Sequence, residues 1–183
     1  MKKIMLICFL LQPFLSYLQE EKKEKEEFEM EHKLSFSSGI TFVPRAINEA
    51  GDKEVIFVPT LGLDYTFEFH RFVAVGLVNE FELSKYFVER DSTNEIEREY
   101  AYTGLIVLHV IPFRNFSIYL GGGAEFDKHK ILPCISAGIE YELDFGKSWF
   151  GKAALQYNYL FKYQSVGFQV GFGYAFGRNK KKE

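Results

Sequence analysis

From about residue 33 to residue 176 the chain alternates apolar and polar positions with a period of two, the spacing that puts every second side chain on one face of a strand. Val55, Phe57, Leu61, Leu63, Tyr65, Phe67 and Phe69 share one face, and Thr60, Gly62, Asp64, Thr66 and Glu68 share the other. Val73, Val75, Leu77, Phe81 and Leu83 likewise oppose Ala74, Gly76, Glu80, Glu82 and Ser84. Further on, Ile135, Ala137, Ile139, Tyr141 and Leu143 oppose Ser136, Gly138, Glu140 and Glu142, and Leu155, Tyr157 and Tyr159 oppose Lys152, Ala154, Gln156 and Asn158. The last repeat sets Val166, Phe168, Val170, Phe172, Tyr174 and Phe176 against Gly167, Gln169, Gly171, Gly173 and Ala175. The pattern predicts strands over 34–45, 54–69, 72–88, 96–111, 116–126, 131–144, 149–162 and 165–176, with no helical stripe between them.

The predicted connections alternate in kind. Tight turns at His70-Arg71, Pro112 to Asn115 and Gly146 to Ser148 are flanked by the aromatics Phe69, Phe72, Phe113, Phe116, Phe145 and Trp149. The others, Ile47 to Lys53, Arg90 to Asn94, Asp127 to Lys130 and Tyr163-Gln164, are more polar. An even number of hairpin-connected antiparallel strands can close on itself and remove its edges. The expectation is an all-β, up-and-down antiparallel barrel of about eight strands.

The bulk of the two faces decides the solvent. Aromatic residues make up 17% of the chain, and they fall on the apolar face. A barrel of about eight strands has a lumen just wide enough to be filled by side chains, and so many rings would overfill it. The opposite face is rich in Gly62, Gly76, Gly138, Gly167, Gly171 and Gly173, which suit a crowded interior and not a water-facing exterior. Rings outside and small or charged residues inside require lipid around the barrel, so the sequence predicts a transmembrane barrel. The turn-flanking aromatics together with Phe176 then form an interfacial girdle. The third and fourth strands are longer than a membrane requires and enclose the charged run from Glu89 to Glu99, so they are expected to project as a hairpin beyond the bilayer.

Composition narrows the partners. Hydrophobic residues at 47% and charged residues at 26% exclude a disordered chain. A net charge of −3 offers no global basic field for nucleic acid. Cys8 and Cys134 supply neither a disulfide framework nor a cysteine-based metal site. Met1-Lys2-Lys3 followed by the apolar run Ile4 to Leu11 reads as a signal peptide over 1–18, followed by a charged linker over 19–32, the barrel over 33–176 and a basic tail over 177–183.

With the leader, the strand number, the inverted patterning and a last strand ending Gly171-Phe172-Gly173-Tyr174-Ala175-Phe176, the sequence resembles the small outer-membrane β-barrels of Gram-negative bacteria, of the OmpA and OmpX type. The resemblance implies a cell outer-membrane location, a monomer in outer-membrane lipid and insertion by the barrel assembly machinery, which reads a terminal Phe. Here Gly177 to Glu183 follow Phe176 and depart from that pattern.

The inward-facing acids Asp64, Glu68, Glu80, Glu82, Glu140 and Glu142, with Lys152 and also Arg45 and Lys162 as counter-charges, are expected to form a polar network that plugs the lumen. A cation-conducting path lined by the excess acids is the alternative. His32, His70, His109 and His129 are the candidate catalytic bases, but none has a serine partner evident in sequence. Gly121-Gly122-Gly123 lacks the helix and the Lys-Ser/Thr of a phosphate-binding loop. The reading is therefore a structural or surface-interaction barrel, not an enzyme, without cofactor or metal. A lipid-modifying barrel enzyme is the second reading and a soluble lipocalin-like barrel the third.

Overall fold

The computed structural model describes residues 29–177, apart from 48–52, 92, 93, 114, 129, 147 and 162. The predicted signal peptide, nearly all of the linker, the basic tail beyond Gly177, and the positions Arg114, His129, Lys147 and Lys162 lie outside the described residues. Ten strands follow one another along the chain: β1 (Glu31–Ile47), β2 (Lys53–His70), β3 (Val73–Glu82), β4 (Lys85–Asp91), β5 (Asn94–Glu99), β6 (Tyr102–Phe113), β7 (Phe116–Phe126), β8 (Ile131–Asp144), β9 (Trp149–Tyr159) and β10 (Gln164–Phe176).

Eight of them, β1, β2, β3 and β6 to β10, form an antiparallel cycle that β10 closes on β1 through eleven residue pairs, from His32↔Phe176 to Phe42↔Val166. Following paired residues around the wall, His32, Phe67, Val75, Leu108, Leu120, Ala137, Tyr157 and Val166, leads back to β1 at Phe42, ten residues beyond the start. Eight strands with that stagger tilt by about 41° and give a backbone radius of about 8 Å, so inward side chains from opposite walls meet.

The outer surface is apolar. Ile106 is 64% exposed, Leu120 62% and Leu108 50%, with Leu34, Leu63, Leu77, Ile118, Ile139, Leu155 and Val170 on the same face. Phe69, Phe113, Phe145, Trp149 and Phe176 are exposed at the turn end, where Phe72 and Phe116 are half-buried. A second ring, absent from the sequence reading, borders the opposite end: Phe42 faces Phe57 at 5.5 Å between centroids, Phe81 faces Tyr102 at 4.9 Å, and Tyr159 faces Phe161 at 5.3 Å. At about 3.3 Å per residue and the tilt above, the stretch from Phe116 to Phe126 rises about 25 Å, the height of a membrane-embedded band. Backbone closure satisfies the polar groups that lipid cannot.

Several expectations are corrected. The strands predicted over 72–88 and 96–111 are each broken: β3 ends at Glu82 and β4 begins at Lys85, while β5 ends at Glu99 and β6 begins at Tyr102. The break on the return side holds Tyr100 at φ 49°, a left-handed conformation that turns the chain sharply. The hairpin of β4 and β5 therefore does not project away. It folds across the mouth, where Val88 of β4 pairs with Ala46 and Phe87 with Ile47 on β1, and its Tyr86, Val88 and Ile96 are buried. Beneath it lies an apolar cluster of Val43, Val58, Val78, Leu105, Leu132 and Leu160, inside a lumen the sequence reading had made wholly polar or small. Apolar contact with this cluster is what makes the docked position favourable. Arg45 is exposed and not a lumen counter-charge, because the register shift between Val43 and Ala46 displaces it from the inward series. The strand also starts earlier than predicted, at Glu31.

Candidate functional site: the lumen and its mouth

The inward side chains form tiers. Nearest the turn end, Lys33 from β1 reaches Glu68 of β2 at 2.5 Å and Glu142 of β8 at 2.6 Å. Above it, Lys152 from β9 is 2.7 Å from Asp64 of β2 and 2.7 Å from Glu140 of β8. Each ammonium thus ties together walls that are not neighbours in the sheet. Pairing of this kind is the condition under which several carboxylates can be held away from water.

The next tier has amides in place of cations. Glu80 accepts from Gln156 Nε2 at 2.5 Å, from Gln169 Nε2, and from Asn158 Nδ2 at 3.4 Å. Both glutamines are oriented from behind, since Tyr119 donates to Gln156 Oε1 at 2.9 Å and Ser37 donates to Gln169 Oε1 at 2.5 Å. The tyrosine ring has room because it lies over Gly138, where a Cβ would land on the phenol.

The mouth is the fourth tier. Tyr86 of β4 donates to Glu82 Oε2 at 2.7 Å and lies 3.3 Å from the hydroxyl of Tyr163. Tyr163 in turn stands 2.7 and 2.9 Å from the two oxygens of Glu125. Arg98 of β5, with a fully buried side chain, pairs with Glu125 and, at 2.5 Å, with Asp127. Burial pushes the phenols of Tyr86 and Tyr163 well above their ordinary pKa, so both are neutral donors at any physiological pH.

All seven lumen residues read from the sequence therefore face inward, but in separate groups. Lys152 meets Asp64 and Glu140, whereas Glu68 and Glu142 belong to Lys33, Glu80 to the amides and Glu82 to the mouth. The sequence reading missed Lys33, Glu125 and Arg98. Lys33 falls at a strand boundary, and Arg98 sits in the charged run expected to project beyond the bilayer. One signal was present: the apolar positions change parity between Leu83 and Tyr86, which places the β4 side chains on the opposite face from those of β3.

Among the histidines, His109 is 3% exposed, and its Nδ1 lies 3.3 Å from Ser117 Oγ. The pair lines a cavity of about 10 Å³ shared with Glu68, Glu140 and Glu142. That space suits one water molecule and no acyl chain. His32 instead stacks on Phe67 at 4.6 Å on the exterior, and His70 sits in the turn before Phe72. Cys134 is a buried free thiol.

The comparisons with known proteins bear on the fold. The chain aligns with the crystal structure of Ail, the attachment invasion locus protein of Yersinia pestis, at 14% identity and a TM-score of 0.53, covering 81% of this chain and 100% of that one. It aligns with the outer membrane protein OprG from Pseudomonas aeruginosa at 16% identity and a TM-score of 0.54, covering 81% and 95%. The fold is that of a small outer-membrane β-barrel. No family model matches the sequence, and no curated protein does. Eight wall strands, an apolar exterior bounded by aromatic rings and a charged lumen are what that barrel architecture requires of a chain in a bilayer.

Proposed function

We propose that this outer-membrane barrel has a structural or surface-interaction role, with a lumen closed to ions by its own side chains and with no catalytic activity. The observation that supports closure is the Lys152 bridge from β9 to both Asp64 and Glu140, stacked on the Lys33 bridge below it. With a backbone radius of about 8 Å, two such tiers leave no continuous water column. In this reading the barrel is a monomer in lipid, it is inserted by the barrel assembly machinery, and its mouth is the surface on which partners act. The short turns mark the periplasmic end, so the hairpin-covered mouth faces outward.

The test is conductance of the purified protein in planar bilayers. The expected record shows no stable, wide pore, and reproducible wide conductance overturns the closed lumen. The non-enzymatic reading draws support from the cavity beside His109 and Ser117, which has no room for a lipid. Lipid profiles of cells with and without the protein are expected to match. A protein-dependent lipid species that disappears with Ser117→Ala would reverse that reading.

A further inference from the structure

We propose that the mouth is a cation-binding site that the protein fills with its own Arg98, and that an outside ligand bearing guanidinium groups displaces the β4–β5 hairpin by taking the place of that side chain. The proposal deepens the surface-interaction reading by naming the chemistry of the partner.

The acceptors belong to the barrel wall and the cation does not. Glu82 ends β3, Glu125 lies near the end of β7, Asp127 follows β7, and Tyr163 precedes β10. Tyr163 orients Glu125 from the wall side at 2.7 and 2.9 Å, a contact that needs nothing from the hairpin. Arg98 comes from β5, outside the eight-stranded cycle. Its guanidinium is fully buried between Glu125 and Asp127, and its Nε has no hydrogen-bond partner among the described residues. A planar cation is thus seated in a carboxylate pair without using all of its donors. The ammonium groups of the lumen are engaged lower down, Lys33 with Glu68 and Glu142, and Lys152 with Asp64 and Glu140. With the hairpin lifted, the carboxylates of the mouth face the opening without Arg98, and an arriving guanidinium replaces it charge for charge.

The hairpin is built to come away without opening the barrel. It joins the wall through two breaks, at Leu83-Ser84 and at Tyr100-Ala101, the second with Tyr100 at φ 49°. Among the described residues its ladder to β1 comprises Val88↔Ala46 and Phe87↔Ile47, whereas β10 closes on β1 through eleven pairs. Because the hairpin is no part of the eight-stranded cycle, its release leaves every wall ladder in place.

The experiment uses the full chain in lipid nanodiscs and reads hydrogen exchange of the β4 and β5 amides. Arg98→Ala is expected to speed their exchange by about tenfold or more while the β1–β10 amides are unchanged. Millimolar agmatine, a small guanidinium cation, is expected to restore protection in Arg98→Ala and to fail in Arg98→Ala/Glu125→Gln. In the wild type, a tri-arginine peptide is expected to bind and to speed exchange of the same amides. Wild-type protection in Arg98→Ala, or equal agmatine effects on the single and double variants, overturns the proposal. Should Arg98→Ala lose the heat-dependent gel mobility of a folded barrel, the wild-type arm decides, and absence of peptide binding there overturns it. Failure here leaves the bilayer conductance result untouched, so the two readings fall separately.

Discussion

Lys152 holds two carboxylates from two different strands, each at 2.7 Å, so removing it strands both. Breaking a buried pair by deleting one partner costs about 3–5 kcal/mol, and Lys152→Met is expected to show a loss of that size in urea unfolding from lipid. Lys128, 71% exposed beside Glu99 at 3.4 Å, is the control, with a loss of about 0–1 kcal/mol for the same change. A glycine pair makes a similar contrast without charge. A Cβ at Gly138 meets the phenol of Tyr119, whose hydroxyl orients Gln156, whereas at Gly122 the nearest atom is the Cys134 carbonyl oxygen at 3.5 Å. Gly138→Ala is expected to lose about 1–3 kcal/mol by overpacking, and Gly122→Ala less than about 0.5 kcal/mol, by the same unfolding measurement.

The hairpin is the element whose behaviour can be followed by titration. Tyr86 and Tyr163 have phenol pKa values raised by burial, so the docked state holds them protonated. A raised pKa contributes stability that is complete below the free value of about 10 and is lost as pH climbs from there toward the folded value. The contribution of the two phenols to docking is therefore expected to be constant up to about pH 10 and to be lost above it, as phenols freed by release of the hairpin ionise. Ultraviolet absorbance from pH 8 to 11 checks this: Tyr86→Phe and Tyr163→Phe are each expected to remove one late-ionising phenol. Loss of an early-ionising phenol in either variant contradicts the buried assignment. This element is also where the sequence was least legible. The parity change between Leu83 and Tyr86 carries no Gly or Pro to mark a break, so two strands read as one. The eight wall strands were legible because lipid makes every outward position apolar for the full span, as along Val166 to Phe176. Which acid meets which cation was not, since that depends on a ten-residue stagger that only closure sets.

For the whole molecule, the outward band predicts a depth profile. Leu108 lies near the middle of β6, between Tyr102 and Phe113, and is 50% exposed. Leu108→Arg is expected to cost about 2–4 kcal/mol in lipid, and Ile131→Arg at the loop-end rim about 0–1 kcal/mol. Equal costs at the two sites would mean that the bilayer does not lie between the two aromatic rings. The closed cycle also explains why the lumen can be so highly charged: closure leaves no wall edge to solvate, and the tiers satisfy one another across the axis.

Arg98 precedes its seat in the chain, being 27 residues before Glu125 and, through Glu125, a further 38 before Tyr163. The mouth is therefore expected to be finished last, after the loop joining β9 and β10 has brought Tyr163 to Glu125. Docking of β4 and β5 is then expected to follow closure of the wall. Trp149, the single tryptophan of the chain, stands at the far end on the exterior. Its fluorescence reports entry of the turn end into lipid and is blind to the mouth, so refolding is expected to show the tryptophan signal complete before the hairpin amides gain protection.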